Sequence, residues 1–154
     1  MKFTMNPSRA YLLGMWKSAR TKEGVGVEGA REFCERFLKI CFDEKLADPG
    51  KIKFEEGASY SKCYFYNTAV RAWLDSEMEK RDERLKYKNE FAASYFAGVF
   101  DATSGEANGI RYIRGDRVDE MVLLRLDFRV KKEKGKLALI SPEFYRWILP
   151  YIKN

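Results

Sequence analysis

The chain carries no histidine and no glutamine among its 154 residues, which narrows its chemistry at once. Histidine titrates near neutrality and is the commonest metal ligand, so Ser/His/Asp and Cys/His triads and histidine-based zinc sites are excluded. The three cysteines, Cys34, Cys41 and Cys63, lack metal-ligand spacing. Cys34 and Cys41 lie seven apart, which stacks them on one helix face, and all three read as small buried hydrophobes rather than as a disulfide or a reactive thiol. Among the acids, Asp101 and Glu106 sit near the end of the apolar segment "YFAGVFDATSG" (95–105), carboxylates of the kind a hard divalent ion takes. The comparable stretch "YLLGMWKSAR" (11–20) offers Lys17 and then no acid before Glu23. Cations are the larger resource. Lys and Arg number 29 against 23 Asp and Glu, a net +6, which favours an anionic partner. Residues 105–154 hold eleven of these cations and seven acids, so +4 of the +6 belongs to the last third.

Two helices must position these residues, and they look like copies of each other. Aligning Tyr11 with Tyr95 matches Gly14 with Gly98, Trp16 with Phe100 and Ser18 with Ala102. A second match follows in the same order: "NTAVRAWL" from Asn67 and "SPEFYRWI" from Ser141 each begin with a capping residue, follow a strand-like run and place a tryptophan six residues later. The pattern predicts an internal duplication: a first repeat over 1–77, a charged helical connector over 78–90, and a second repeat over 91–154. In the first repeat a helix over roughly 8–20 is followed by an extended "GVGVEG". An amphipathic helix with Phe33, Phe37, Ile40, Cys41 and Leu46 on one stripe comes next, then strands at "KIKFEE" and "YSKCYFY" and the Asn67 helix. The connector "DSEMEKRDERLKYKNE" reads as a solvated helix with an i,i+4 pair between Glu77 and Arg81. In the second repeat a helix over roughly 89–103 precedes a Gly-rich break at "SGEANG". Strands follow at "IRYIR", "EMVLLRLDFRV" and "KLALI", with "KEKG" as a hairpin turn and "PEFYRWILPYIK" as the last helix. The alternation of Val122, Leu124, Leu126, Phe128 and Val130 with Arg125, Asp127, Arg129 and Lys131 predicts a strand with one wet, basic face.

In each copy a glycine and a second small residue lie four apart, Gly14 with Ser18 and Gly98 with Ala102, on one side of the helix. Glycine inside a helix costs about 1 kcal/mol relative to alanine, so its retention in both copies asks for a reason, and close packing of the two helices supplies one. The alternative is that each helix packs only on its own sheet.

At these residues the chain resembles the LAGLIDADG homing endonucleases. "FAGVFDATSG" from Phe96 matches the family string at Ala97, Gly98, Asp101 and Ala102; "LLGMWKSAR" from Leu12 keeps Leu12 and Gly14. The resemblance implies an α+β fold of two pseudo-symmetric αββαββα-type halves in one chain, with the motif helices packed at a pseudo-twofold interface through Gly14, Ser18, Gly98 and Ala102. It also implies antiparallel sheets that form a saddle over a DNA duplex. Active members carry an acid at the eighth motif place, and the two acids hold divalent metal at the scissile phosphates. Here those places are Ala19 and Thr103. A methyl group cannot ligate a metal and a neutral hydroxyl is a poor substitute for a carboxylate, so no catalytic residue and no metal is expected. Mg²⁺ would matter only if cleavage were retained through the displaced acids Asp101 and Glu106. Lys17 and Asp101 occupy equivalent motif places and are expected to pair with each other or to be solvated.

DNA binding can outlast cleavage. The expected contact residues are Lys51, Lys53, Lys62 and Tyr64 in the first repeat and Arg111, Arg114, Arg125, Arg129 and Lys131 in the second, with Tyr66 and Tyr112 interleaved. Arginine makes bidentate contacts with guanine edges, and both cations neutralise phosphate. The expected partner is double-stranded DNA. RNA binding of the maturase kind, an active metal-dependent endonuclease, and a basic interaction domain without nucleic acid are the competing functions. No apolar run is long enough to span a membrane. The N-terminal stretch lacks the small-residue cleavage site of a secretory signal, so a cytoplasmic monomer is expected. The charged, glutamine-free composition is of the kind seen in thermophiles.

Overall fold

The computed structural model describes residues 3–154. The first half opens with helix α1 (Pro7–Ala19), whose N-terminus is closed by the Asn6 side chain accepting from the Arg9 N–H, with proline in the first turn. Strand β1 (Val25–Gly29), helix α2 (Arg31–Asp43), a 3₁₀ turn (Pro49–Lys51), strands β2 (Lys53–Glu56) and β3 (Ser61–Phe65), and helix α3 (Thr68–Glu79) follow. Asn67 caps α3 by accepting from the Val70 N–H. The three strands form an antiparallel sheet in the order β1-β3-β2. Val25, Val27, Cys63 and Phe65 point inward and are buried with Trp16 of α1 and Phe37 and Cys41 of α2. All three cysteines are buried and free, and burial pushes the Cys41 thiol well above its ordinary range.

The second half comprises the short helix α4 (Arg81–Arg84), helix α5 (Glu90–Thr103), strands β4 (Gly105–Ala107) and β5 (Ile110–Ile113), helix α6 (Arg117–Arg125), strands β6 (Val130–Glu133) and β7 (Lys136–Leu139), and helix α7 (Pro142–Ile148). Its four strands are antiparallel in the order β4-β5-β7-β6. From α5 to α7 the order is αββαββα. The first half is one strand shorter, and an isolated bridge from Arg20 to Val27 stands where β4 pairs with β5 in the second.

The halves meet through α1 and α5, and the glycines set how closely. A Cβ on Gly14 would lie 2.2 Å from the Tyr95 carbonyl oxygen, and a Cβ on Gly98 would lie 2.2 Å from the Tyr11 carbonyl oxygen. Each helix therefore presses its backbone against the other at the residue where a side chain is missing.

Four expectations from the sequence are corrected. The 121–130 run is not one strand: residues 117–125 form α6, and only Val130 onward is extended. Val122, Leu123 and Leu126 are buried while Leu124 is half exposed, which is helical spacing. The deciding signal is local, a capping box in which Asp116 accepts from the Asp119 N–H and Asp119 from the Asp116 N–H. "SGEANG" is not only a break, because it contains β4 and a turn at Asn108–Gly109, both with positive φ (56° and 78°), the twist a two-residue hairpin favours. The 78–90 connector is not simply solvated: Arg81 and Leu85 are buried, and Glu77 pairs with Arg84 rather than with Arg81. Ser141, expected to cap α7, instead accepts a hydrogen bond from the Arg129 N–H.

Candidate nucleic-acid interface

The C-terminal ends of α1 and α5 bring Ala19 and Thr103 to the ends of the two central helices. Neither position offers a carboxylate. Thr103 is committed to backbone, its Oγ1 donating to the Val99 carbonyl at 2.8 Å and accepting from the Arg114 N–H at 3.0 Å. The fallback acids lie elsewhere. Asp101 accepts from the Tyr11 hydroxyl at 2.5 Å and from the Lys153 N–H at 2.8 Å, and burial together with this carboxylate pushes the Tyr11 phenol far up. Glu106 is exposed on β4, across the ladder from Arg111. Among the described residues no group of three or more Cys, Asp or Glu side chains is arranged to hold a metal ion.

Lys17 pairs not with Asp101 but with Asp119 of α6. The Asp119 side chain is fully buried and also accepts from Arg81 Nη1 at 2.9 Å and from the Tyr95 hydroxyl at 2.7 Å. Arg81 reaches Asp116 as well, through Nη1 at 3.0 Å and Nη2 at 2.8 Å, and closes with its Nε on the Met78 carbonyl. Burial opposes ionisation of Asp116, but hydrogen bonds from Arg81 and the Asp119 N–H, with the Lys17 and Arg81 charges, hold its carboxyl down at about 2. Burial and the Asp119 charge push the Tyr95 phenol well up. Two cations and two anions thus join α1, the connector, α5 and α6. The repeat explains the arrangement. Tyr11 meets the motif acid Asp101 directly, whereas its equivalent, Tyr95, meets Asp119 because Lys17 occupies the matching motif place.

The strand ladders decide which expected contact residues share a surface. In the second sheet Tyr112 pairs with Ala138, and Ala138 with Lys131, so these three lie in one row on the face opposite the buried Ile113 and Leu137. Alternation within β6 and β7 adds Glu133 and Lys136 to that face, and Arg114 and Arg129 stand just beyond the ends of β5 and β6. The Lys136 ammonium lies 4.3 Å from the centre of the Tyr112 ring. Arg111 is out of phase with this row; its guanidinium stacks on Tyr145 of α7 at 3.7 Å from the ring centre. Arg125 is no sheet residue but ends α6, donating to the Asp82 and Leu85 carbonyls. Lys136 was not among the expected contacts, although its spacing from Ala138 placed it in phase.

The outer face of the first sheet is differently charged. Glu28, Lys62 and Glu55 form one row, and Gly26, Tyr64 and Lys53 the next. Lys62 Nζ is 2.5 Å from Glu23, and the Tyr64 hydroxyl donates to Glu55 at 2.8 Å. These bonds push the titrations of both Lys62 and Tyr64 up. Lys53 is exposed, whereas Lys51 lies off the sheet in the 3₁₀ turn. Tyr66 is exposed beside Tyr64.

Solved structures of the homing endonuclease I-DmoI share this architecture. Its complex with DNA and Mn superposes with a TM-score of 0.70 at 13% identity, covering 97% of this chain and 99% of that one. Its mesophilic variants give 0.68 at 14%, covering 94% and 96%. A complex with DNA and Ca gives 0.67 at 10%, covering 96% and 90%. The chain has the LAGLIDADG homing-endonuclease fold, with two antiparallel sheets flanking paired helices. No protein-family model matches the sequence, and no curated protein sequence does. Among the described residues no helix is long and apolar enough to cross a membrane.

Proposed function

We propose that this chain binds double-stranded DNA through the outer face of its second sheet and does not cleave it by the two-acid metal mechanism of its fold relatives. The observation that carries the reading is the makeup of that face. Lys131 and Lys136 flank Tyr112 with Glu133 as the acid of the same rows, and Arg114 and Arg129 follow just past the ends of β5 and β6. Most protein–DNA hydrogen bonds go to phosphate and sugar, and cations there gain affinity by releasing counterions. I-DmoI, whose fold this is, has been solved in complex with DNA.

The reading without cleavage is supported by Ala19, which cannot ligate, and by Thr103, whose hydroxyl is used in both directions by backbone. Asp101 is engaged by the Tyr11 hydroxyl and the Lys153 N–H, and Glu106 lies on β4 opposite Arg111, which favours neither as a replacement. The test is electrophoretic retardation of a random duplex, with structured RNA as competitor, alongside incubation with supercoiled plasmid in Mg²⁺ or Mn²⁺. The expected result is retardation that RNA competes poorly and plasmid that stays supercoiled. Stronger binding to the RNA would replace the partner, and metal-dependent nicking abolished by Asp101→Asn would replace the mechanism.

A further inference from the structure

The two sheets lie in corresponding halves of this fold but differ in charge, and the difference bears on how a duplex is held. On the second sheet the outer face carries Lys131 and Lys136 against Glu133, with Arg114 and Arg129 at its margin just past the ends of β5 and β6. Among the described residues Lys131 is the one of those cations within ion-pair distance of a carboxylate, Glu133 at 3.5 Å, with both side chains largely exposed, a pairing worth little in water; Lys136 faces the same Glu133 across the ladder. On the first sheet the outer face carries Lys53 and Lys62 against Glu28 and Glu55, with Glu23 at its margin. Cation and acid alternate across its central row, Glu28–Lys62–Glu55. Lys62 is already bonded to Glu23, and Tyr64, the aromatic that would meet a base or phosphate, spends its hydroxyl on Glu55. A phosphate approaching this face meets a surface with no cation in excess, and it must break an existing pair to recruit Lys62. Repulsion between like charges across an interface suppresses a contact as effectively as attraction promotes one.

We infer that DNA engagement is one-sided: the second sheet grips the backbone, while the first sheet, neutralised by its own glutamates, lies off the phosphates. The inference rests on the reading of the second sheet as the DNA surface. It predicts that the energetically important footprint spans one half of the saddle and not both.

Fluorescence anisotropy of a labelled random duplex, titrated with the full chain over a range of salt, separates the possibilities. Each phosphate contact contributes about 0.9 to the slope of log K against log salt. Arg114→Ala/Lys131→Ala should flatten the slope by about 1.8 and weaken binding, whereas Lys53→Ala/Lys62→Ala should leave slope and affinity as in the unsubstituted chain. Replacing Glu23, Glu28 and Glu55 together by glutamine should do the reverse of the first pair, tightening binding and steepening the slope as Lys53 and Lys62 are released. Far-UV circular dichroism confirms that each variant is folded. An equal loss of slope from the Lys53/Lys62 pair would overturn the one-sided grip and leave DNA binding intact. Failure of the unsubstituted chain to bind any duplex would remove the DNA reading itself, and the inference with it.

Discussion

Replacing Asp119 by asparagine removes one negative charge and almost no volume from the most deeply buried polar site in the molecule. The side chains of Asp119, Arg81 and Lys17 are 0%, 8% and 9% exposed. In the variant the two cations keep only Asp116, which Lys17 does not touch, and the new amide must turn its NH2 either toward the Lys17 ammonium and the Asp116 N–H, which share Oδ2, or toward Arg81 and the Tyr95 hydroxyl, which share Oδ1. In the first orientation the reciprocal hydrogen bond of the α6 capping box is lost as well. Removing one partner of a buried pair costs about 3–5 kcal/mol, chiefly because the remaining charge is stranded. For a chain of this length that corresponds to a fall in Tm of about 6–20 °C. Urea denaturation followed by circular dichroism, with calorimetry for Tm, measures both. Lys17→Met relieves the stranded ammonium, so the double variant Lys17→Met/Asp119→Asn should cost less than the sum of the singles by about 1 kcal/mol or more. A loss below about 1 kcal/mol for Asp119→Asn, or strict additivity in the cycle, would refute the argument that Lys17 and Asp119 are coupled across the halves.

Gly98→Ala places a methyl 2.2 Å from the Tyr11 carbonyl oxygen, so α1 and α5 must part. Overpacking costs about 1–3 kcal/mol or more, partly offset by alanine's better helix propensity, and a net loss of about 2 kcal/mol in urea unfolding is expected; a stabilised variant would deny the close approach. Thr103→Val strands the Arg114 N–H and should cost about 1 kcal/mol, read in the same assay, with no loss indicating that water replaces the hydroxyl. The Asp116 carboxyl lies at about 2 in the folded chain against an ordinary 3.8. Its contribution is therefore complete above about 4 and is lost as pH falls through about 2. The full linkage value is about 2.4 kcal/mol, but with 43% of the side chain exposed screening leaves about 1 kcal/mol. Asp116→Asn should accordingly flatten the stability profile between pH 4 and 2, measured by thermal unfolding, and an unchanged profile would count against the Arg81 contact.

The paired helices were legible because their constraint is local: a glycine inside a helix, repeated at the same place, leaves a mark that four residues of spacing reveal. The hairpin at Gly135 and the Asn67 cap of α3 are written in a short turn and a single side chain in the same way. The α6 segment was not, since "VLLRLDF" satisfies both a two-residue and a helical repeat, and the arbiter was the Asp116–Asp119 capping box lying upstream of the apolar run. The positions of the expected contact residues followed the strand phase. Lys131 lies on the outer face and Arg114 and Arg129 stand just past the strand ends, while Arg125 leaves the sheet with α6, Arg111 turns toward Tyr145, and Lys51 falls in a turn. The partner of Lys17 was beyond reach of pattern reading. Asp119 lies 102 residues away, and no local rule distinguishes it from the other acids that a lysine at that motif place could meet.

The account turns on where a duplex lies, and amide chemical-shift mapping of the isotope-labelled chain during titration with duplex DNA asks that question directly. The prediction is that perturbed residues cluster on the outer face of β5, β6 and β7, at Tyr112, Arg114, Lys131 and Ala138, with Gly26, Lys62 and Tyr64 little changed. Perturbations concentrated on α2 or α7, or no perturbation by DNA at all, would contradict it.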